Sequence, residues 1–372
     1  MSYKKRIFFL LGSMNVGGVE KAFLNLIAEI PRDKYEIHLG LIKPMGGFME
    51  FIPEDVKVYH IDCYDKYWDI INKPPLKTIT DLIKKGYPLS ALIHLFIYIF
   101  NKFSNNYYWL YKYILRNEPK FSQNFDIAIA FAGPSQMIDY YICEKVEATT
   151  KYGWIHFDVS KFGIDKGMTN KLYKHYSKIF IVSENAKNKF DSIFPKLRNK
   201  TQVFHNIVSE KNIKELSSVG ESFSDSFSGV RILTVGRISH EKGHDIALKA
   251  LKLILDKGYN VKWYFVGDGK FKGLCIELSK ELGVEHNVVF LGTKTNPYTY
   301  MRDCDIYAQP SRQEGFCITL AEALCFDNPI VSTNFISASE LLKECNESVI
   351  VDASSEGLSK GIINVINNLK HN

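Results

Sequence analysis

The sequence predicts an α/β fold in which two doubly wound parallel-sheet domains share one chain of 372 residues. Three observations carry that expectation. The length exceeds the ~250–300 residues at which a single hydrophobic core stops growing. A hydrophobic content of 46% and a charged content of 24% are those of an ordinary globular protein, which excludes a disordered, collagenous, coiled-coil or disulfide-knot chain. In both halves, short β-branched or aromatic runs alternate with runs of helical period, as βαβ crossovers require.

Taken in order, IFFLL (7–11) reads as a buried strand, Gly12 to Gly18 as a loop and Glu20 to Ile30 as a helix. Further strands are predicted at 35–42, 56–61, 126–131, 151–156, 178–183 and 201–206. Between the third and fourth lies Tyr64 to Phe125, rich in Tyr, Phe, Trp and Lys, which reads as a helical insertion in the N-terminal domain. The second half is predicted to place strands at 232–235, 261–266, 288–291, 306–309, 329–333 and 348–351, with amphipathic helices between them. The stretch Glu215 to Gly229 (ELSSVGESFSDSFSG) has linker composition. The expected organisation is therefore an N-terminal domain over 1–205 with its insertion at 64–125, a linker over 206–229 and a C-terminal domain over 230–372.

The formal net charge is +6, too small an excess to indicate nucleic-acid binding unless it is concentrated on one face. Seven cysteines without a Cys-x-x-Cys pair read as reduced thiols of a cytosolic protein. The basic start is followed by only five apolar residues, so no signal peptide is expected. The longest apolar stretch, PLSALIHLFIYIF (88–100), is shorter than the ~20 residues a membrane-spanning helix needs.

Ligands of doubly wound sheets bind beyond the carboxyl ends of the strands, which directs attention to three post-strand loops. Gly12-Ser-Met-Asn-Val-Gly17-Gly18 precedes a helix whose free N–H groups suit an anion, although a tight strand-to-helix turn also explains it. Its spacing is neither the dinucleotide fingerprint nor a P-loop. Gly236-Arg237-Ile-Ser-His-Glu-Lys242-Gly243 sets two cations where they could clamp a diphosphate. Gln309-Pro-Ser-Arg-Gln-Glu314-Gly315-Phe316-Cys317-Ile318-Thr319-Leu-Ala-Glu322 combines two carboxylates, which accept from sugar hydroxyls, with amides near 317–319 that suit phosphate oxygens.

Together, Gly17-Gly18-x-Glu20, Val235-Gly236-Arg237 with Lys242-Gly243, Val266-Gly267-Asp268-Gly269 and Pro310-Ser311-x-x-Glu314-Gly315-Phe316 running to Glu322 resemble retaining nucleotide-sugar glycosyltransferases of family 4. These are the glycosyl transferases group 1 class with the GT-B fold, two facing Rossmann-like domains. The resemblance covers nearly all the chain except Tyr64 to Phe125. It implies that Arg237 and Lys242 hold the diphosphate, helped by the amides of Ile318 and Thr319, that Glu314 binds donor-sugar hydroxyls and that Glu322 binds the ribose. Gly17 and Gly18 would approach donor phosphate and acceptor, His156 would reach the reacting sugar, and Asn206 would be an interdomain hinge. Gly267, Gly315, Phe316 and Cys317 complete the implied donor site, with no metal and no cofactor. Two departures stand out: Cys317 where many members have Gly or Pro, and Phe335-Ile336-Ser337-Ala338 where many have Gly-Gly. The chain also reads only to Asn372, where members usually run on into a helix returning to the N-terminal domain.

His240-Glu-Lys-Gly-His244 spells a zinc-protease signature, but it follows a strand closely and contains Gly243, so a zinc site is not expected. Asp303-Cys304-Asp305 reads as capping rather than as a metal motif, and Asp268-Gly269 as a turn. In the insertion, Lys84, Lys85, Lys102, Lys112, Arg116 and Lys120 interleave with aromatics from Phe96 to Tyr113, which fits either a membrane surface or a helical subdomain with its own core.

The resulting expectation is a cytoplasmic enzyme at the inner membrane face, moving a hexose or N-acetylhexosamine from a UDP-linked sugar to a lipid-linked or growing glycan in capsule, O-antigen or exopolysaccharide assembly. Its partners are the donor, the acceptor and the membrane surface, with no nucleic acid. The competing readings are an epimerase or phosphorylase of the same fold, a nicotinamide oxidoreductase, and a non-catalytic partner subunit.

Overall fold

The computed structural model describes residues 3–369 apart from 68–70, 72, 105, 162, 344 and 346. Those positions of the expected insertion, and the two chain ends, lie outside the described residues. The chain divides into two compact units, the first of Met1–Asn15 and Val19–Phe204 and the second of His205–Asn372 with Val16–Gly18.

The first unit contains β1 (Lys5–Leu11), β2 (Tyr35–Leu41), β3 (Lys57–His60), β4 (Asn124–Gly133), β5 (Glu147–Ile155), β6 (Lys178–Ile181) and β7 (Thr201–Val203). They form one sheet, ordered β3-β2-β1-β4-β5-β6-β7, and every pairing is parallel. A parallel sheet needs cover on both faces, and β1 shows why this sequence supplies it. Phe8 and Leu10 join the large core beneath one face, while Phe9 packs at 5.3 Å on Phe23 of helix α1 (Gly18–Glu29) and at 5.9 Å on Phe131 at the other.

The connection from β3 to β4 crosses β2 and β1, and the expected insertion is that crossover. It carries α2 (Pro75–Lys84), α3 (Pro88–Ser104) and α4 (Tyr108–Ile114). The reading of 64–125 as one added piece is corrected at its end: Tyr108, Tyr111, Ile114 and Phe125 belong to the core of the first unit, and β4 already begins at Asn124. Burying those rings fixes α4 to the sheet layer.

The second unit contains β8 (Val230–Val235), β9 (Val261–Val266), β10 (Val288–Gly292), β11 (Ile306–Gln309), β12 (Ile330–Thr333) and β13 (Ser348–Val351), ordered β10-β9-β8-β11-β12-β13 and parallel throughout. Successive residues again divide between the faces, Ile232, Trp263, Phe265 and Ile306 to one and Leu233, Tyr264, Val266 and Tyr307 to the other. In each unit the chain runs outward from the first strand, then returns to its other side. The strand order therefore reverses between β1 and β4 and between β8 and β11, where diverging connections open a crevice at the carboxyl ends.

The expected linker over 206–229 is corrected. Helix α5 (Glu210–Ser217) buries Ile213, Phe223 packs on Tyr264 at 4.5 Å, and Asp225 accepts from Tyr264 at 2.7 Å and Lys262 at 3.1 Å. One aromatic and one carboxylate anchor a segment whose Ser and Gly content suggested freedom.

Candidate functional site

Three loops meet at the carboxyl ends of β8, β9 and β11, and glycines let them meet. A Cβ on Gly267 would lie 1.9 Å from the Gly236 carbonyl oxygen, and one on Gly269 would lie 2.2 Å from that of Ile238. A Cβ on Gly243 would lie 1.9 Å from the carbonyl oxygen of Pro310. The glycines of these motifs are therefore packing requirements: backbone lies against backbone with no room for a methyl group.

That packing brings the predicted charges together. Lys242 Nζ donates to Glu314 Oε1 at 2.5 Å, with 21% of the lysine side chain and 8% of the glutamate side chain exposed. Burial opposes the lysine's charge, but the Glu314 carboxylate outweighs it and raises the Lys242 pKa above the ordinary value. The same Glu314 oxygen accepts from Ser311 Oγ at 2.8 Å, and Gln309 Nε2 bonds that hydroxyl at 2.8 Å. Arg237 is largely exposed at the mouth of the loop, 3.1 Å from Glu241. Lys242 is thus a cation held by a largely buried carboxylate and Arg237 an exposed one paired at the surface.

Glu322 is buried on helix α6 (Ile318–Ala323), where Tyr298 donates to it at 2.7 Å. Burial, reinforced by that carboxylate, drives the Tyr298 hydroxyl pKa far up and keeps it a donor. The helix opens at Ile318, two residues later than Phe316. Cys317 before it has φ of +61°, the one positive φ at a non-glycine among the described residues. A glycine there would meet the left-handed turn without strain, and Cys317 adopts it against its Cβ. Phe316 and Gly315 are buried, and Ser337 Oγ donates to the Phe316 carbonyl at 3.1 Å. The serine of the departing 335–338 loop therefore ties that loop to the segment carrying Glu314 and Phe316.

Arg312 and Asp245 were not singled out by sequence. Arg312 makes a two-pronged contact with Asp245, both distances 2.7 Å, and bonds the His240 carbonyl at 2.8 Å. Its backbone N–H donates to the Glu241 carbonyl at 2.8 Å. The pair locks the loop carrying Glu314 to the loop carrying Lys242. The signal was present as an Arg inside one motif and an Asp two residues after the glycine of another, but pairing across 67 positions is not readable from spacing.

The decoy motifs resolve locally. His240 lies in a short 3-10 turn and His244 opens the helix His244–Leu255, with Gly243 between them at φ of +69°, so the two rings do not share a helix face. Asp305 accepts from the Arg231 N–H at 2.7 Å and Asp303 from Ser222 at 2.6 Å, both structural contacts before β11. Asp268 accepts from the Gly269 N–H at 2.7 Å, which closes the turn.

Gly17 and Gly18 lie at the start of α1, after a loop held by Met14, whose N–H bonds the Met45 carbonyl at 2.9 Å. His156 follows β5, nine-tenths buried, with its ring 4.6 Å from that of Phe131. Neither ring nitrogen has a hydrogen-bond partner within the structure. Burial pushes its pKa down to about 3, so the imidazole is neutral. Asn206 is half-buried in the segment after β7.

Residues 228–372 match the family described as "Glycosyl transferases group 1". A Campylobacter jejuni protein named N-acetylgalactosamine-N,N'-diacetylbacillosaminyl-diphospho-undecaprenol 4-alpha-N-acetylgalactosaminyltransferase is 25% identical over 359 residues, 95% of this chain and 87% of that protein. An uncharacterized glycosyltransferase of Methanocaldococcus jannaschii is 29% identical over 169 residues, 44% of this chain, and the match spans only 41% of that relative's length. Among solved structures, Anabaena HepE in complex with UDP and glucose superposes with a TM-score of 0.69 at 18% identity, over 98% of this chain and 91% of that one. The chain accordingly has the GT-B fold and carries, in residues 228–372, a member domain of the glycosyl transferases group 1 family.

Proposed function

We propose that the protein transfers a hexose or N-acetylhexosamine from a UDP-linked sugar to a lipid-linked or growing glycan in cell-surface polysaccharide assembly, retaining the anomeric configuration and without a metal or other cofactor. The observation that carries this reading is the buried Lys242–Glu314 pair, set where β8 and β11 diverge. A cation fixed there by a carboxylate still has two N–H bonds to direct at a diphosphate.

In the transfer, the acceptor oxygen bonds the anomeric carbon, the bond from that carbon to the diphosphate oxygen breaks, and the hydroxyl proton leaves with the diphosphate or to solvent. Negative charge builds on the departing diphosphate. Arg237, Lys242 and the amides of Ile318 and Thr319 are the groups we assign to stabilise it, the role a metal would otherwise fill. Glu314 orients sugar hydroxyls, Glu322 the ribose, and the glycines at 243, 267 and 269 let the loop backbones approach one another. His156 is assigned to the reacting sugar as a neutral hydrogen-bonding ring, a role its two unpartnered nitrogens support. Gly17 and Gly18 are assigned to the acceptor side.

The UDP donor is supported by the ligand named for the HepE complex, and the lipid-linked acceptor by the diphospho-undecaprenol substrate named for the Campylobacter relative. With such an acceptor the proposed reaction takes place at a cytoplasmic membrane face. The test is release of nucleoside diphosphate from a panel of nucleotide sugars, with and without a polyprenyl-diphosphate glycan, in the presence and absence of chelator. Acceptor-stimulated release that survives chelation is expected. Stabilisation by NADH and by no nucleoside diphosphate would sink the reading, and conversion of the donor into its epimer without transfer would replace it with the epimerase.

A further inference from the structure

Helix α3 is built the wrong way round for a helix facing water. Its residues Leu89, Leu92, Phe96, Phe100 and Phe103 recur at intervals of three and four, which places them along one stripe. That stripe is exposed: Leu89 is 70%, Phe96 65% and Phe103 87% accessible. Two polar residues of α3 point inward instead, His94 and Asn101 each only 2% exposed. Neither side-chain amide atom of Asn101 has a hydrogen-bond partner, nor does the hydroxyl of buried Thr78 on α2. A water-soluble helix gains by the opposite arrangement, so the exposed stripe needs an apolar phase to cover it.

The charge around the stripe says which phase. From residue 75 to 116 there are six cations, Lys77, Lys84, Lys85, Lys102, Lys112 and Arg116, against one carboxylate, Asp81. Most of the chain's net charge of +6 therefore resides in this segment. The one carboxylate is itself 3.8 Å from Lys73. Between α3 and α4 lies a groove of about 570 Å³ walled by Phe96, Phe100, Trp109 and Tyr113, with Lys112 and Arg116 at its rim. Lys112 Nζ sits 5.2 Å from the centre of the Trp109 ring, and Lys171 from a neighbouring helix sits 4.2 Å from it on that unit's surface. No helix among the described residues is long and apolar enough to cross a membrane. An apolar face ringed by cations, on helices too short to span, matches a bilayer interface whose headgroups are anionic.

We propose that the α2–α3 hairpin, with α4, docks the protein on an anionic lipid bilayer, the phenylalanine and leucine stripe entering the headgroup–acyl boundary and the lysines engaging lipid phosphates. The inference rests on the proposed transferase for its biological setting, yet it uses a different part of the chain and can fail separately.

The test is co-sedimentation of the full chain with vesicles of phosphatidylcholine alone and of phosphatidylcholine mixed with phosphatidylglycerol, at low and high salt. Binding to the mixed vesicles is expected, weakened by salt. Phe96→Glu with Phe103→Glu abolishes it. Lys84→Glu with Lys85→Glu lowers partitioning by at least roughly tenfold, since each cation near an anionic surface contributes about fivefold. All four side chains are exposed, so the variants keep the wild-type melting temperature, and the shift of that temperature by UDP is read on the same samples. A protein that shifts with UDP but ignores anionic vesicles overturns the docking surface alone. Binding that is equal for both vesicle types and both sets of variants overturns it too. So does a wild-type dimer that Phe96→Glu with Phe103→Glu dissociates, because a second copy would then be what covers the stripe.

Discussion

Gly243 lies against Pro310 so closely that the carbonyl oxygen of the proline occupies the space a Cβ would need, 1.9 Å away, and Gly243 holds φ of +69°. This contact presses the loop after β8 on the loop after β11 and sets Lys242 within reach of Glu314. Gly243→Ala meets both a left-handed backbone and a backbone clash. It should cost about 2–4 kcal/mol of stability in denaturant unfolding, and UDP binding should weaken with it.

The Arg312–Asp245 fork holds the same two loops from the other side. Lysine cannot reproduce two parallel N–H bonds. Arg312→Lys should lower stability by about 1–2 kcal/mol and should reduce UDP affinity although Arg312 is assigned no contact with the donor. Denaturant melts and a UDP titration check this, and a variant equal to wild type in both would show that the fork does not position the site.

His244 is buried against Phe265 at 5.2 Å with both ring nitrogens unpartnered. Burial, aided by the charge of Lys242, pushes its pKa down to about 4 against the opposing Ser239 carbonyl. The unfolded chain takes up a proton near pH 6.5 that the folded one refuses until about 4, so this residue's contribution is present above 6.5 and is lost as pH falls between those values. His244→Phe should remove one proton's worth of that slope. Relative to wild type it should gain about 3 kcal/mol between pH 7 and 4, read from urea midpoints across that range.

Cys317 carries the strain of the turn that opens α6. Cys317→Gly exchanges that strain for lost burial of the sulfur and should lie within about 1 kcal/mol of wild type. A β-branched side chain tolerates the turn far less, so Cys317→Val should lose about 2–3 kcal/mol and displace the amides of Ile318 and Thr319. Thermal unfolding of the two variants decides it.

The strands were readable because most are short runs of β-branched or aromatic residues, and the central ones are buried on both faces. VKWYFV matches β9 and IYAQ matches β11, residue for residue. The start of β5 was missed: Glu147–Thr150 is polar and half-exposed, so its pairing with β4 leaves no hydrophobic trace. The motif residues of the second unit were legible because their glycines mark real close approaches. Arg312–Asp245 and Tyr298–Glu322 were not, since a hydrogen bond between elements distant in sequence has no local period. Phe223 and Asp225 disguised an anchored segment as a linker by sitting among serines. The apolar stretch of α3 was visible, but which face it turns outward depends on the packing of His94 and Asn101.

Calorimetric titration of UDP into wild type, Arg237→Ala and Lys242→Ala tests the assigned diphosphate site most directly. Arg237 is exposed, so its removal should leave the ligand-free melting temperature unchanged while weakening UDP by roughly ten- to a hundredfold, the worth of a charge-assisted contact. Lys242→Ala should weaken it further. Equal UDP affinity in all three proteins would contradict the account.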